Sequence, residues 1–167
     1  KKRSDLMTTT TFSGLEMLKI AIMMEEEGYN FYINGANYTT GKTKEFLLVA
    51  AGQEFIHKEK FSKLFAELKT DKESDSEYLF DLEVTKYLRN LIDNQVFNKK
   101  EQPKDAFTNL ESALKYSIKT EELTIKIYTQ MFEKVAQNDI SGMLSTILKE
   151  EKSHAAYFSK LLQEIVS

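Results

Sequence analysis

The 167-residue chain has no cysteine. That excludes a disulfide framework, a thiolate metal site and an iron–sulfur cluster within it. One proline and six glycines leave few places where a helix must stop. The single proline, Pro103, falls in the polar stretch "NKKEQPKD" (98–105). No apolar run approaches the ~20 residues that a membrane span needs. The opening "KKRSDLMTTTTFSG" is basic and then polar, without the apolar centre of a signal peptide, so the cytoplasm is the expected location. Excess positive charge is lacking too. A net charge of −3 and a pI of about 5.6 give no surface for nucleic acid or for an anionic membrane. Histidine is scarce, at two residues.

With 29% charged and 41% hydrophobic residues, the composition is that of one ordinary globular domain able to bury a core. Four segments carry inward-type residues at alternating steps of three and four, the mark of a buried helical seam. The first runs Leu15, Leu18, Ile22, Glu25, Tyr29, Tyr32, Ala36. The second runs Leu47, Ala50, Glu54, His57, Phe61, Leu64, Leu68. The third runs Leu114, Ile118, Glu121, Ile125, Tyr128, Phe132, Val135, and the fourth Leu144, Ile147, Glu151, His154, Phe158, Leu161, Ile165. This predicts a tail over 1–11 and helices over 12–38, 43–69, 106–136 and 140–166 of a single domain spanning 1–167. "TTGKT" (39–43) and "AQNDISG" (136–142) are short enough to close antiparallel hairpins. Residues 70–105 are too many for a hairpin. Their own apolar spacing at Leu82, Tyr87, Leu88, Leu91 and Ile92 predicts a crossover with one shorter helix. The expected fold class is therefore all-α: two antiparallel helix hairpins joined by a long crossover, the connectivity of a ferritin-like four-helix bundle.

The two halves repeat. A shift of 96 places Leu18 on Leu114, Ile22 on Ile118, Glu25 on Glu121 and Tyr32 on Tyr128. A shift of 97 places Glu54 on Glu151, His57 on His154 and one "FSKL" on another. Seam and repeat thus select the same acids from crowded runs such as "EEE" (25–27). Residues three apart share a helix face, so Glu54 projects with His57, and Glu151 with His154. One residue in nine is Glu, so both histidines would follow a Glu by three about once in eighty random cases. Requiring both pairs to lie on the seam, with a seam Glu on each remaining helix, lowers that sharply.

Four carboxylates and two imidazoles, Glu25, Glu54, His57, Glu121, Glu151 and His154, are thus expected at mid-height of one core. No Lys or Arg occupies the seam positions to neutralise them. Uncompensated burial of each carboxylate would cost several kcal/mol, whereas two divalent ions would balance four carboxylates with both histidines neutral. Oxygen and imidazole ligands suit iron or manganese, with zinc and cobalt compatible in ligand type. A Glu from each of two helices plus Glu-x-x-His from each of the other two is the ligand set of di-iron carboxylate bundles. Tyr32 and Tyr128, two turns beyond Glu25 and Glu121, serve core packing or hydrogen-bond a ligand carboxylate. Lys58, Lys60 and Lys63 read as a solvated face, and the methionines at 23, 24, 131 and 143 as packing.

"LKIAIMMEEEGYNFY" (18–32), "EFIHKEKFSKLFAEL" (54–68) and "EEKSHAAYFSKLLQEI" (150–165) resemble the rubrerythrin group of the ferritin-like superfamily, most closely its members with only the di-iron domain. The resemblance implies a binuclear metal cofactor, iron first and manganese or zinc as alternatives. It implies that Glu54 and Glu151 bridge the ions, that Glu25 and Glu121 are terminal ligands, and that His57 and His154 cap one ion each. It further implies reduction of hydrogen peroxide or dioxygen, with a separate electron donor such as a rubredoxin-type protein, and a homodimer, in some relatives with exchanged helices. The chain departs from the group in two respects. It carries no cysteine for a rubredoxin-type iron, and Thr124 stands where the group has an extra Glu three residues past the third-helix ligand. A non-enzymatic metal-binding protein, for iron handling or sensing, is the alternative reading.

Overall fold

The computed structural model describes residues 14–71, 106–134 and 138–167. They form four long helices: α1 (Gly14–Asn37), α2 (Gly41–Asp71), α3 (Leu110–Lys134) and α4 (Asn138–Val166). There is no strand among the described residues. Each helix is roughly 36–46 Å long at a rise of 1.5 Å per residue. The molecule is an all-α, ferritin-like four-helix bundle in which α1 packs along α2 and α3 along α4. The expected tail over 1–11 and nearly all of the crossover, with its short helix, lie outside the described residues.

Local chemistry sets the helix ends. At the close of α1 the amides of Tyr38 and Thr39 donate to the carbonyls of Gly35 and Ala36, and the Thr39 hydroxyl donates to Gly35 at 3.0 Å. The chain then reverses at Gly41, whose φ of +63° is a conformation that L side chains rarely adopt. Before α3, the side-chain oxygen of Asn109 accepts from the Ser112 amide at 2.8 Å, a helix N-cap. The helix therefore begins at 110 rather than at the expected 106, and Phe107 lies in the preceding turn. Its ring packs against Gly35 so closely that a Cβ there would fall 2.7 Å from it.

Most of the described seam residues lie in or pack against two apolar clusters, which residues off the seam such as Met24, Ile127 and Phe107 complete. One gathers Leu18, Met24, Phe61, Ile127, Tyr128, Leu144 and Ile147, among others. The second gathers Tyr32, Ala36, Leu47, Ala50, Phe107, Leu114 and Phe158. Along every helix a buried glutamate stands between residues of the two clusters: Glu25, Glu54, Glu121 and Glu151. A polar layer thus crosses the bundle between two greasy blocks. Ile165 departs from the expected seam, being 44% exposed in the last turn of α4. The 3.6-residue period continues to the helix end, but burial does not.

Candidate metal centre

The four glutamates reach the centre because each sits where an apolar residue would otherwise continue its helix's stripe. Glu25 comes from α1, Glu54 and His57 from α2, Glu121 from α3, and Glu151 and His154 from α4. All are buried except His154, which is 16% exposed at its side chain.

Their ligand atoms cluster. One atom each from Glu25, Glu54, His57 and Glu151 lie within 4.8 Å of one another, and so do atoms from His57, Glu151 and His154. The two sets share His57 and Glu151. His57 Nδ1 stands 2.8 Å from Glu151 Oε1 and 3.6 Å from Glu25 Oε2. His154 Nδ1 stands 3.6 Å from Glu151 Oε2. The imidazoles face each other nearly parallel, with centroids 5.4 Å apart. Glu121 is buried beside Glu151 and Glu54 without contributing an atom to either set.

The donor set fits cations. Glu25 Oε2, both oxygens of Glu151, His57 Nδ1 and His154 Nδ1 are buried and lack a well-directed hydrogen bond among the described residues. Buried polar atoms are ordinarily paired, and several lone pairs turned toward one another are what a positive ion satisfies. In the metal-free protein, protons must do that work. Burial, reinforced by repulsion from Glu25 and Glu151, pushes the Glu54 carboxyl well above the ordinary range. Burial, then Glu151 and Glu25, does the same for Glu121. Burial opposes a charge on His57, but its contacts with Glu151 and Glu25 outweigh this and raise it from 6.5 to about 10. Burial also opposes ionisation of Glu151, yet its contacts with Glu121, His154 and His57 hold it below the ordinary carboxylate range. The free cluster is therefore a store of protons that metal binding would expel.

The tyrosines differ although their positions repeat. The Tyr128 hydroxyl donates to Glu25 Oε1 at 2.5 Å, which fixes that carboxylate. Tyr32 Oη has no hydrogen-bond partner among the described residues. Burial and then the nearby charge of Glu121 push its ionisation well upward, with the adjoining Ser117 hydroxyl offsetting part of this. Thr124 is buried one turn past Glu121 and supplies no carboxylate.

Sequence reasoning missed Glu150. Its Oε2 accepts from His57 Nε2 at 2.6 Å, and its Oε1 accepts from Lys60 Nζ at 3.0 Å. Lys60 lies on a solvated face as expected, its side chain 41% exposed, and from there holds Glu150. The available signal was the "EE" pair at 150–151, of which only the second residue lies on the seam.

No helix among the described residues is long and apolar enough to cross a membrane. No curated protein and no solved structure matches the chain significantly. One family model, described as Rubrerythrin, matches residues 16–162, a span that contains every residue of the cluster. With its four-helix bundle and its buried layer of glutamate and histidine, the chain belongs to the rubrerythrin family.

Proposed function

We propose that the protein is a di-metal oxidoreductase, with iron as the working metal, that reduces hydrogen peroxide or dioxygen using electrons from a separate donor protein. One observation carries this reading: carboxylates and imidazoles from α1, α2 and α4 converge in a buried layer, with Glu121 of α3 beside them, and several of their ligand atoms face one another without a well-directed hydrogen bond. Glu25, Glu54, His57, Glu121, Glu151 and His154 would hold the ions. Bound there, a ferrous pair would supply two electrons together, so that hydrogen peroxide with two protons would give two waters.

The chain's own residues do the rest. The apolar clusters flank the layer on either side, and its four glutamates are nearly inaccessible to solvent. Tyr128 orients Glu25 through its hydroxyl, and Glu150 orients His57. Electrons must arrive from outside these 167 residues, since no cysteine within them could hold a rubredoxin-type iron. A rubredoxin-type donor and a homodimer fit the family.

The direct test is to reconstitute the protein with ferrous iron without oxygen and then add one equivalent of hydrogen peroxide. A fast, stoichiometric ferrous-to-ferric absorbance change is expected. Bound iron that stays ferrous overturns the redox reading. A non-enzymatic role in metal handling is favoured by one specific observation, that Thr124 gives the layer no further carboxylate. That reading requires tight metal uptake with peroxide turnover no faster than free iron when an artificial reductant is supplied.

A further inference from the structure

The two halves of the centre repeat in their six candidate residues but not in what stands behind them. Glu150 precedes Glu151 as Gln53 precedes Glu54, and Lys60 corresponds to Tyr157. Behind His57 there is a carboxylate. His57 Nε2 donates to Glu150 Oε2 at 2.6 Å, while Lys60 grips the other carboxylate oxygen at 3.0 Å. The His57 side chain is 2% exposed.

Behind His154 the structure is weaker. No hydrogen bond among the described residues holds its Nε2, and its polar contact is Nδ1 against Glu151 Oε2 at 3.6 Å. Gln53, the residue in the place of Glu150, has its Oε1 buried without a partner among the described residues. Tyr157, in the place of Lys60, is half exposed and carries no charge.

We propose that Glu150, braced by Lys60, is a positioning residue that makes the two metal positions unequal, so that the ion beside His57 binds first and more tightly than the ion beside His154. The inference rests on the metal-centre reading and deepens it. A carboxylate accepting the outer N–H of a ligand imidazole fixes the tautomer and holds the ring's orientation. It also makes the inner nitrogen a stronger donor, and loss of such a partner typically lowers metal affinity tenfold to a hundredfold. His57 is prepared in this way, with Nδ1 turned to the cluster. His154 has to be oriented by the ion itself, at a cost in affinity.

The test exploits the fact that the chain has only two histidines. Metal-free protein, labelled with nitrogen-15 in the imidazoles, is titrated with zinc, and the ring nitrogens are followed by NMR while calorimetry gives the stepwise affinities. His57→Gln assigns the two rings. In the unmodified protein the His57 ring should change during the first equivalent and the His154 ring during the second, with affinities at least tenfold apart. Glu150→Gln should remove most of that gap by weakening the first step, Lys60→Met should narrow it, and Gln53→Glu should strengthen the second step. Simultaneous filling of both positions, or filling at His154 first, overturns the proposal. An unaltered order and affinity in Glu150→Gln also overturns it. The order in the unmodified protein decides the question even if a variant fails to fold. If the unmodified protein takes up no zinc at all, the metal-centre reading itself fails, a result distinct from two equal sites.

Discussion

Removal of metal should make the protein's stability fall steeply as pH rises from 7 to 9. The reason lies in His57, which is raised from 6.5 to about 10 by Glu151 and Glu25 in the folded, metal-free state. A group raised on folding stabilises the fold fully below its unfolded pKa, and that contribution is lost as pH climbs through the folded value. Between 6.5 and about 10 the folded chain therefore holds a proton that the unfolded chain has released. Each such proton is worth about 1.4 kcal/mol per pH unit, so His57 alone should remove about 3 kcal/mol between pH 7 and 9. Glu54 and Glu121 are also raised on folding, so each acts in the same direction above the ordinary carboxylate range. Glu151 is lowered; its contribution is present above that range and disappears only in acid, so it leaves the interval from 7 to 9 unchanged. A loss of about 3 kcal/mol is a large share of the 5–15 kcal/mol expected of a domain. At this chain length it corresponds to roughly 6–12 °C in Tm. Denaturant melts followed by circular dichroism, on chelator-treated protein at both pH values, measure it directly. His57→Gln should flatten the slope by one proton. Added metal should raise Tm more at pH 9 than at pH 7, because binding expels the same protons. A metal-free stability that is flat or rising over this interval would refute the argument that protons hold the cluster together.

Other expectations follow from single contacts. Tyr128→Phe strands Glu25 Oε1 and should destabilise the metal-free protein by about 1–3 kcal/mol in urea melts; Tyr32→Phe, whose hydroxyl has no directed partner, should cost well under 1 kcal/mol. Equal losses would contradict the observed asymmetry. Glu54→Ala should lower occupancy of both metal positions, whereas His57→Ala should empty one more than the other, as counted by mass spectrometry of the native protein; the reverse pattern would contradict the assigned roles. Gly35→Ala places a methyl group against the Phe107 ring and should cost about 1–3 kcal/mol in the same melts, and a neutral result would mean that the ring moves aside freely.

The sequence alone determined the helices and pointed to the five residues whose ligand atoms cluster, with Glu121 buried beside them. Both are encoded in short-range periodicity: a glutamate three residues before a histidine shares its helix face whatever else the chain does. The stripe of apolar residues around each acid states that this face is the buried one. The repeat then chose Glu25 from "EEE" and Glu121 from "EE". Capping chemistry and the limit of burial were less visible. Asn109 started α3 four residues late, and Ile165 kept the period of the seam while facing solvent. Only the tertiary structure could decide what differs between the halves. Glu150 lies about 100° around the helix from Glu151, and its partner His57 is 93 residues away on another helix. Tyr32 and Tyr128 occupy equivalent places in the repeat, yet one hydroxyl meets a carboxylate and the other does not. Periodicity reports which way a side chain leaves its own helix; what it meets there is set by the packing of one helix against another.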